Sequence, residues 1–153
     1  MADATTSTIS ITATAPAVLS VIADFAAYPQ WATGVKEARV LSTGSDGRAV
    51  QVHFVLDAAP IQDEYTLEYV WDGDRGVHWH LVEGKVLTAL AGTYELRERG
   101  GQTDVTYRLE VDVGVPLIGM LKRKAEKVII DAALRGLKAR VESSHSAKEA
   151  AWD

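Results

Sequence analysis

Tyr65-Thr66-Leu67-Glu68-Tyr69-Val70-Trp71-Asp72-Gly73-Asp74-Arg75-Gly76-Val77-His78-Trp79-His80-Leu81 decides the fold. Before the Asp72–Gly76 turn, bulky apolar residues recur at every second position, and they do so again after it. Such alternation builds strands with one buried and one polar face. Working outward, Val50, Val52, Phe54 and Leu56 meet Ile61, Tyr65 and Leu67 if Leu56 faces Ile61 across a four-residue loop. Trp79 and Leu81 pair with Val86 and Thr88 across a Glu83-Gly84 turn, and Leu90, Tyr94 and Leu96 meet Val111, Tyr107 and Val105. All these registers turn one apolar face inward and leave Gln51, His53, Glu64, Glu68, His78, His80, Arg97, Asp104 and Arg108 outside.

The flanks complete the order. Ser7 to Ala13 alternates as a strand, and Pro16 opens a helix carrying Val18, Val21, Ile22 and Phe25. Tyr28-Pro29 ends that helix, and Pro29 starts a second, short one bearing Trp31. After Val115 the period becomes helical. Pro116 marks the start, Leu117, Leu121, Ala125, Val128, Ala132 and Gly136 form an apolar stripe, and Ile118, Ile129 and Ala133 lie beside it. Running to about residue 143, this helix spans on the order of 40 Å, enough to cross a domain. Gly136 weakens it, which implies a close approach to the sheet or space kept for a ligand. The expected architecture is α+β, in the order β-α-α-β-β-β-β-β-β-α. A curved seven-stranded antiparallel sheet wraps the long C-terminal helix, which is a helix-grip fold.

Composition narrows function. At 47% hydrophobic and 24% charged residues the chain is an ordinary globular one and not disordered. No cysteine is present, so disulfides, thiol catalysis and cysteine-ligated metals are excluded. A net charge of −5 disfavours generic nucleic-acid binding. Residues 115–153 nevertheless hold eight Lys/Arg against five Asp/Glu, so the last helix is basic and the sheet acidic. With neither a membrane-length apolar window nor a signal-like start, a soluble protein of cytoplasmic location is expected.

Val21-Ile22-Ala23-Asp24-Phe25-Ala26-Ala27-Tyr28-Pro29-Gln30-Trp31, with its Phe-x-x-Tyr-Pro-x-Trp core, resembles the START-like (SRPBCC) superfamily. Within it, the similarity is to the polyketide cyclase/dehydrase and lipid-transport group, which includes coenzyme Q-binding-like members. Ala133 to Glu142 resembles the end of the terminal helix in bacterial members. The resemblance implies one domain over residues 1–153, with ends frayed over about 1–5 and 144–153. It also implies a deep pocket for a lipid, polyketide, quinone or similar molecule, and no particular reaction or cofactor.

Strand parity turns Val52, Phe54, Tyr65, Leu67, Tyr69, Trp79, Leu81, Thr88, Leu90, Tyr94, Tyr107 and Leu109 inward. Trp31 and Val128 are expected to join them from the helices. Aromatic walls with a few hydroxyls suit a flat or isoprenoid ligand, though each ring could equally be core. Asp63 is the acidic residue on the inward face of its strand, level with Phe54. Desolvated, it would serve as general acid or base; at a strand end, it would simply meet water. Lys36 also has inward parity, but its long stem lets the ammonium reach the rim. His78, His80 and Glu68 could recruit zinc but lie on the outer face, where a plain polar surface is the alternative. Lys122, Arg123, Lys124 and Lys127 either form a solvated helix face or dock an anionic membrane or acidic carrier protein. Three functions follow: binding or transport of a hydrophobic molecule by a monomer or weak dimer, an aromatase/cyclase using Asp63 and the tyrosines, or an interaction domain whose cavity is collapsed.

Overall fold

A computed structural model describes residues 4–58, 61–113 and 119–152. Strand β1 (Thr5–Ile11) leads to helix α1 (Ala15–Ala23), a 3-10 turn (Phe25–Ala27) and the short helix α2 (Tyr28–Trp31). Six strands follow: β2 (Val35–Thr43), β3 (Ala49–Ala58), β4 (Ile61–Asp72), β5 (Gly76–Gly84), β6 (Leu87–Arg99) and β7 (Gln102–Val113). Helix α3 (Gly119–Trp152) ends the fold. The strands form one antiparallel sheet in the order β1-β7-β6-β5-β4-β3-β2, so α3 and a curved seven-stranded sheet make the expected helix grip. None of the described helices is long and apolar enough to cross a membrane.

Capping and burial explain the first helix. Thr14 Oγ1 accepts the Ala17 amide at 3.3 Å, and Val18 and Ile22 are wholly buried. The β6–β7 register is as expected, with Tyr94 opposite Tyr107 and Leu96 opposite Val105. Two other registers differ. In β3–β4, Phe54 faces Tyr65 and Leu56 faces Asp63, two residues away from the expected pairing. Because the shift is even, every side chain keeps its face. In β5–β6, Trp79 lies opposite Gly92 and not Thr88. A Cβ on Gly92 would sit 2.4 Å from the Trp79 ring, so only glycine lets the indole lie flat across the neighbouring strand. A bulge between Leu87 and Ala89 then breaks the alternation: Leu87 is buried, Thr88 is exposed and Leu90 is half-buried. Thr88 therefore does not face inward.

Helix α3 is rotated from the expected orientation. Its buried stripe is Glu126, Ile130, Leu134, Leu137 and Val141, whereas Val128 is 63% exposed and Ala125 is also exposed. Pro116, Leu117 and Ile118 lie outside the described residues. Polar anchors set the rotation. Glu126 accepts Thr5 Oγ1 at 2.7 Å and the Val111 amide at 2.8 Å, just past the point where β1 stops pairing with β7. Further along, Lys138 donates to the Ser10 carbonyl and Glu142 accepts the Thr12 amide. The apolar arc of α3 is wide enough to be turned either way, and these bonds to β1 and β7 choose one. Helix α3 also continues to Trp152, past the end expected near residue 143. Gly136 marks a close approach, but to α2 and not to the sheet: its Cβ would lie 2.6 Å from the Trp31 carbonyl oxygen.

Candidate functional site

Helix α3 packs chiefly on β1 and β7, and on α1 and α2. The inward face of β3 to β6 is instead met by the aromatic residues of the 3-10 turn and α2. Phe25 lies 4.9 Å from the Tyr69 ring, Tyr28 lies 6.0 Å from Phe54, and Trp31 stacks obliquely on Tyr28 at 4.8 Å. The contacts continue from Tyr69 to Trp79 at 5.5 Å, from Trp79 to Tyr94 at 5.2 Å, and from Tyr94 to Tyr107 at 4.7 Å. Phe54 stacks on Tyr65 at 5.5 Å. All five tyrosines of the chain thus belong to one interior aromatic network. Val52, Leu67 and Leu109 are buried around it, and Leu56, Leu81 and Leu90 are half-buried.

The polar ends of these rings define the chemistry. Tyr28 donates to the Ile22 carbonyl at 2.5 Å, and Trp71 Nε1 donates to the Ala49 carbonyl at 2.8 Å. Among the described residues, no acceptor meets the hydroxyls of Tyr65, Tyr69, Tyr94 or Tyr107, and Trp31 Nε1 is buried without a partner. Burial pushes the phenols of Tyr69, Tyr94 and Tyr107 well above the ordinary range, with neighbouring phenols adding to the effect. Tyr65 is raised by burial and then by Asp63, and Tyr28 chiefly by burial. At physiological pH the interior therefore offers neutral hydroxyls and an indole N–H, set in apolar walls.

Asp63 sits at the edge of this region, 6% exposed. Its carboxylate accepts three backbone amides, Lys85 and Val86 at 3.0 Å and Leu87 at 2.9 Å. These bonds hold the β5–β6 connection over the end of β4, where a two-residue turn at Glu83-Gly84 was expected. Both carboxylate oxygens are thus already engaged as acceptors, which inward parity alone does not reveal. A groove of about 430 Å³ opens beside it, with Lys36, Leu56, Asp57 and Lys85 in its lining.

The other candidates are separate from this interior. His80 Nε2 lies 3.4 Å from Glu68, while His78 is exposed opposite Val70; among the described residues no three ligating groups gather for a metal. In the basic cluster, Lys122 pairs with Asp112, and Lys127 is held by Asp131 and Ser7. Arg123 and Lys124 are exposed without an ion pair among the described residues. Val128 shares their exposed end of α3, away from the interior it was expected to line. Parity missed Phe25 and Tyr28, although the Phe-x-x-Tyr-Pro-x-Trp run already carried them.

Fold and interior together define a START-like protein. Residues 2–142 match the family model described as polyketide cyclase / dehydrase and lipid transport, and the chain belongs to that family. A START superfamily protein from Mycobacterium smegmatis superposes with a TM-score of 0.86 at 23% identity, over 92% of this chain and 97% of that one. A protein from Thermus thermophilus gives a TM-score of 0.78 at 20% identity, over 93% and 99%. The Zhui aromatase/cyclase of a Streptomyces species gives 0.73 at 16% identity, over 93% and 94%. No curated protein matches the sequence.

Proposed function

We propose that this protein binds a flat, largely apolar small molecule against its aromatic interior and carries it without changing it. The observation behind this reading is the gathering of all five tyrosines with Trp31 and Trp79 in one inward aromatic network. Family membership supports the same reading, because lipid transport stands beside cyclase activity in its description. For the aromatase/cyclase alternative, Asp63 would have to act as a base while both of its carboxylate oxygens accept backbone amides.

The neutral dye N-phenyl-1-naphthylamine tests the reading. Its fluorescence should rise on binding, and Leu81→Trp or Leu90→Trp, which fill half-buried inward positions, should weaken that binding several-fold. Dye affinity unchanged in both folded variants would refute the interior site. We also assign membrane contact to Arg123, Lys124 and the exposed Val128. Arg123→Gln with Lys124→Gln should lower association with vesicles containing anionic lipid. Equal association with neutral and anionic vesicles would contradict this.

A further inference from the structure

Trp31 is held from two sides. Its ring packs on Tyr28 at 4.8 Å, and its carbonyl approaches α3 so closely that only Gly136 leaves room. The indole N–H is nevertheless buried with no acceptor among the described residues. Phenylalanine would fill part of the same space without a stranded donor, so packing accounts for the ring and not for its N–H. The contrast lies within the molecule, since the Trp71 indole and the Tyr28 hydroxyl both reach backbone carbonyls. An indole can only donate, whereas a tyrosine hydroxyl can also accept. A partner for Trp31 must therefore bring an acceptor atom. Because the tyrosine hydroxyls without acceptors among the described residues belong to the same network, that partner enters a region rich in donors.

We infer that Trp31 reads an acceptor oxygen on the ligand, so that the interior prefers a planar carbonyl compound over a hydrocarbon of the same shape. This rests on the binding reading above and adds to it a ligand class and the residue that selects it.

Fluorenone and fluorene are the probes: one flat tricyclic skeleton, with a carbonyl in place of a methylene. The parent protein should bind fluorenone the more tightly. Trp31→Phe should cut the fluorenone-to-fluorene affinity ratio by about fivefold, one hydrogen bond's worth, because any lost packing weakens both probes alike. Should that variant fail to fold, the parent alone still decides. The assigned Trp31 indole N–H resonance should move downfield with fluorenone and not with fluorene. If both probes bind, but the ratio survives Trp31→Phe or the indole resonance responds alike to both, the role of Trp31 is overturned and the binding site stands. If neither probe binds the folded parent, the binding reading fails and takes this inference with it.

Discussion

The seam between α3 and the β1–β7 edge is built differently from the aromatic interior of β3 to β6. Along the seam, polar groups are matched: buried Glu126 takes Thr5 and Val111, buried Thr103 donates to the Ala13 carbonyl, and the more exposed Glu142 takes Thr12 and Lys138. In the interior, the Trp31 indole N–H and the hydroxyls of Tyr65, Tyr69, Tyr94 and Tyr107 meet no acceptor among the described residues. An unmet hydrogen bond in an apolar setting costs stability, so a fold keeps such groups only where something else meets them. Satisfied polarity marks the part that holds the structure, and unsatisfied polarity marks the part proposed to meet a ligand. Every prediction below is a way to break or sharpen that contrast.

The largest effect belongs to the seam. Glu126→Ala leaves the Val111 amide without its acceptor and opens a hole under α3, so it should cost about 3 kcal/mol in chemical denaturation. Dye affinity of the protein that remains folded should be unchanged. A cost below about 1 kcal/mol, the worth of one neutral bond, would mean the anchor does not set the seam.

Next comes the boundary between the regions. Gly136→Ala places a methyl 2.6 Å from the Trp31 carbonyl, and backbone must move to admit it. The expected loss is about 2 kcal/mol, and because α2 is what moves, probe binding should weaken as well. Loss of stability with no change in binding would separate α2 from the site.

The regions should also fail at opposite ends of the pH scale. Glu142 is lowered by the Thr12 amide and then by Lys138, and Asp131 by Lys127. A carboxyl lowered by folding adds stability above its unfolded pKa and loses it as pH falls through the folded one, so acid should loosen the seam first. The interior phenols are raised by burial, so the folded state holds protons that the unfolded chain releases above its tyrosine pKa of 10.0. That stability is present at neutral pH and declines as pH climbs past this value. Tyrosinate absorbance should therefore appear together with loss of tertiary circular dichroism. Phenol ionisation well before unfolding would show that the rings are not sealed.

The smallest effect is the most pointed. Tyr94→Phe and Tyr107→Phe remove hydroxyls that have no acceptor among the described residues, so stability should stay within about 0.5 kcal/mol of the parent. A penalty near that of Glu126→Ala would place these residues with the seam.

Alternation made the sheet legible in the sequence, because a strand's period of two fixes a face even when the register is misjudged. The β3–β4 pairing shows this: an even shift kept Phe54 and Tyr65 inward. Thr88 was misplaced because a bulge depends on contacts from another strand, here the amides that Asp63 collects and the room that Gly92 makes for Trp79. Val128 was misplaced for a related reason. A helix with apolar residues over much of its circumference does not say which arc is buried, and the choice fell to Glu126, a residue a hydropathy pattern reads as exposed. The inward faces of Tyr65, Tyr69, Tyr94 and Tyr107 were readable from parity, and that of Tyr28 on α2 was not. That Asp63 is bound by three amides, and that the Trp31 indole N–H meets no acceptor among the described residues, are facts of three dimensions alone.

Chemical-shift mapping with fluorenone tests the central claim most directly. The account predicts saturable changes at the amides of Trp31, Tyr69, Trp79, Tyr94 and Tyr107, with the seam around Glu126 and Glu142 unmoved. Changes centred on that seam or on the outer sheet face around His78 and His80, with the aromatic interior silent, would contradict it.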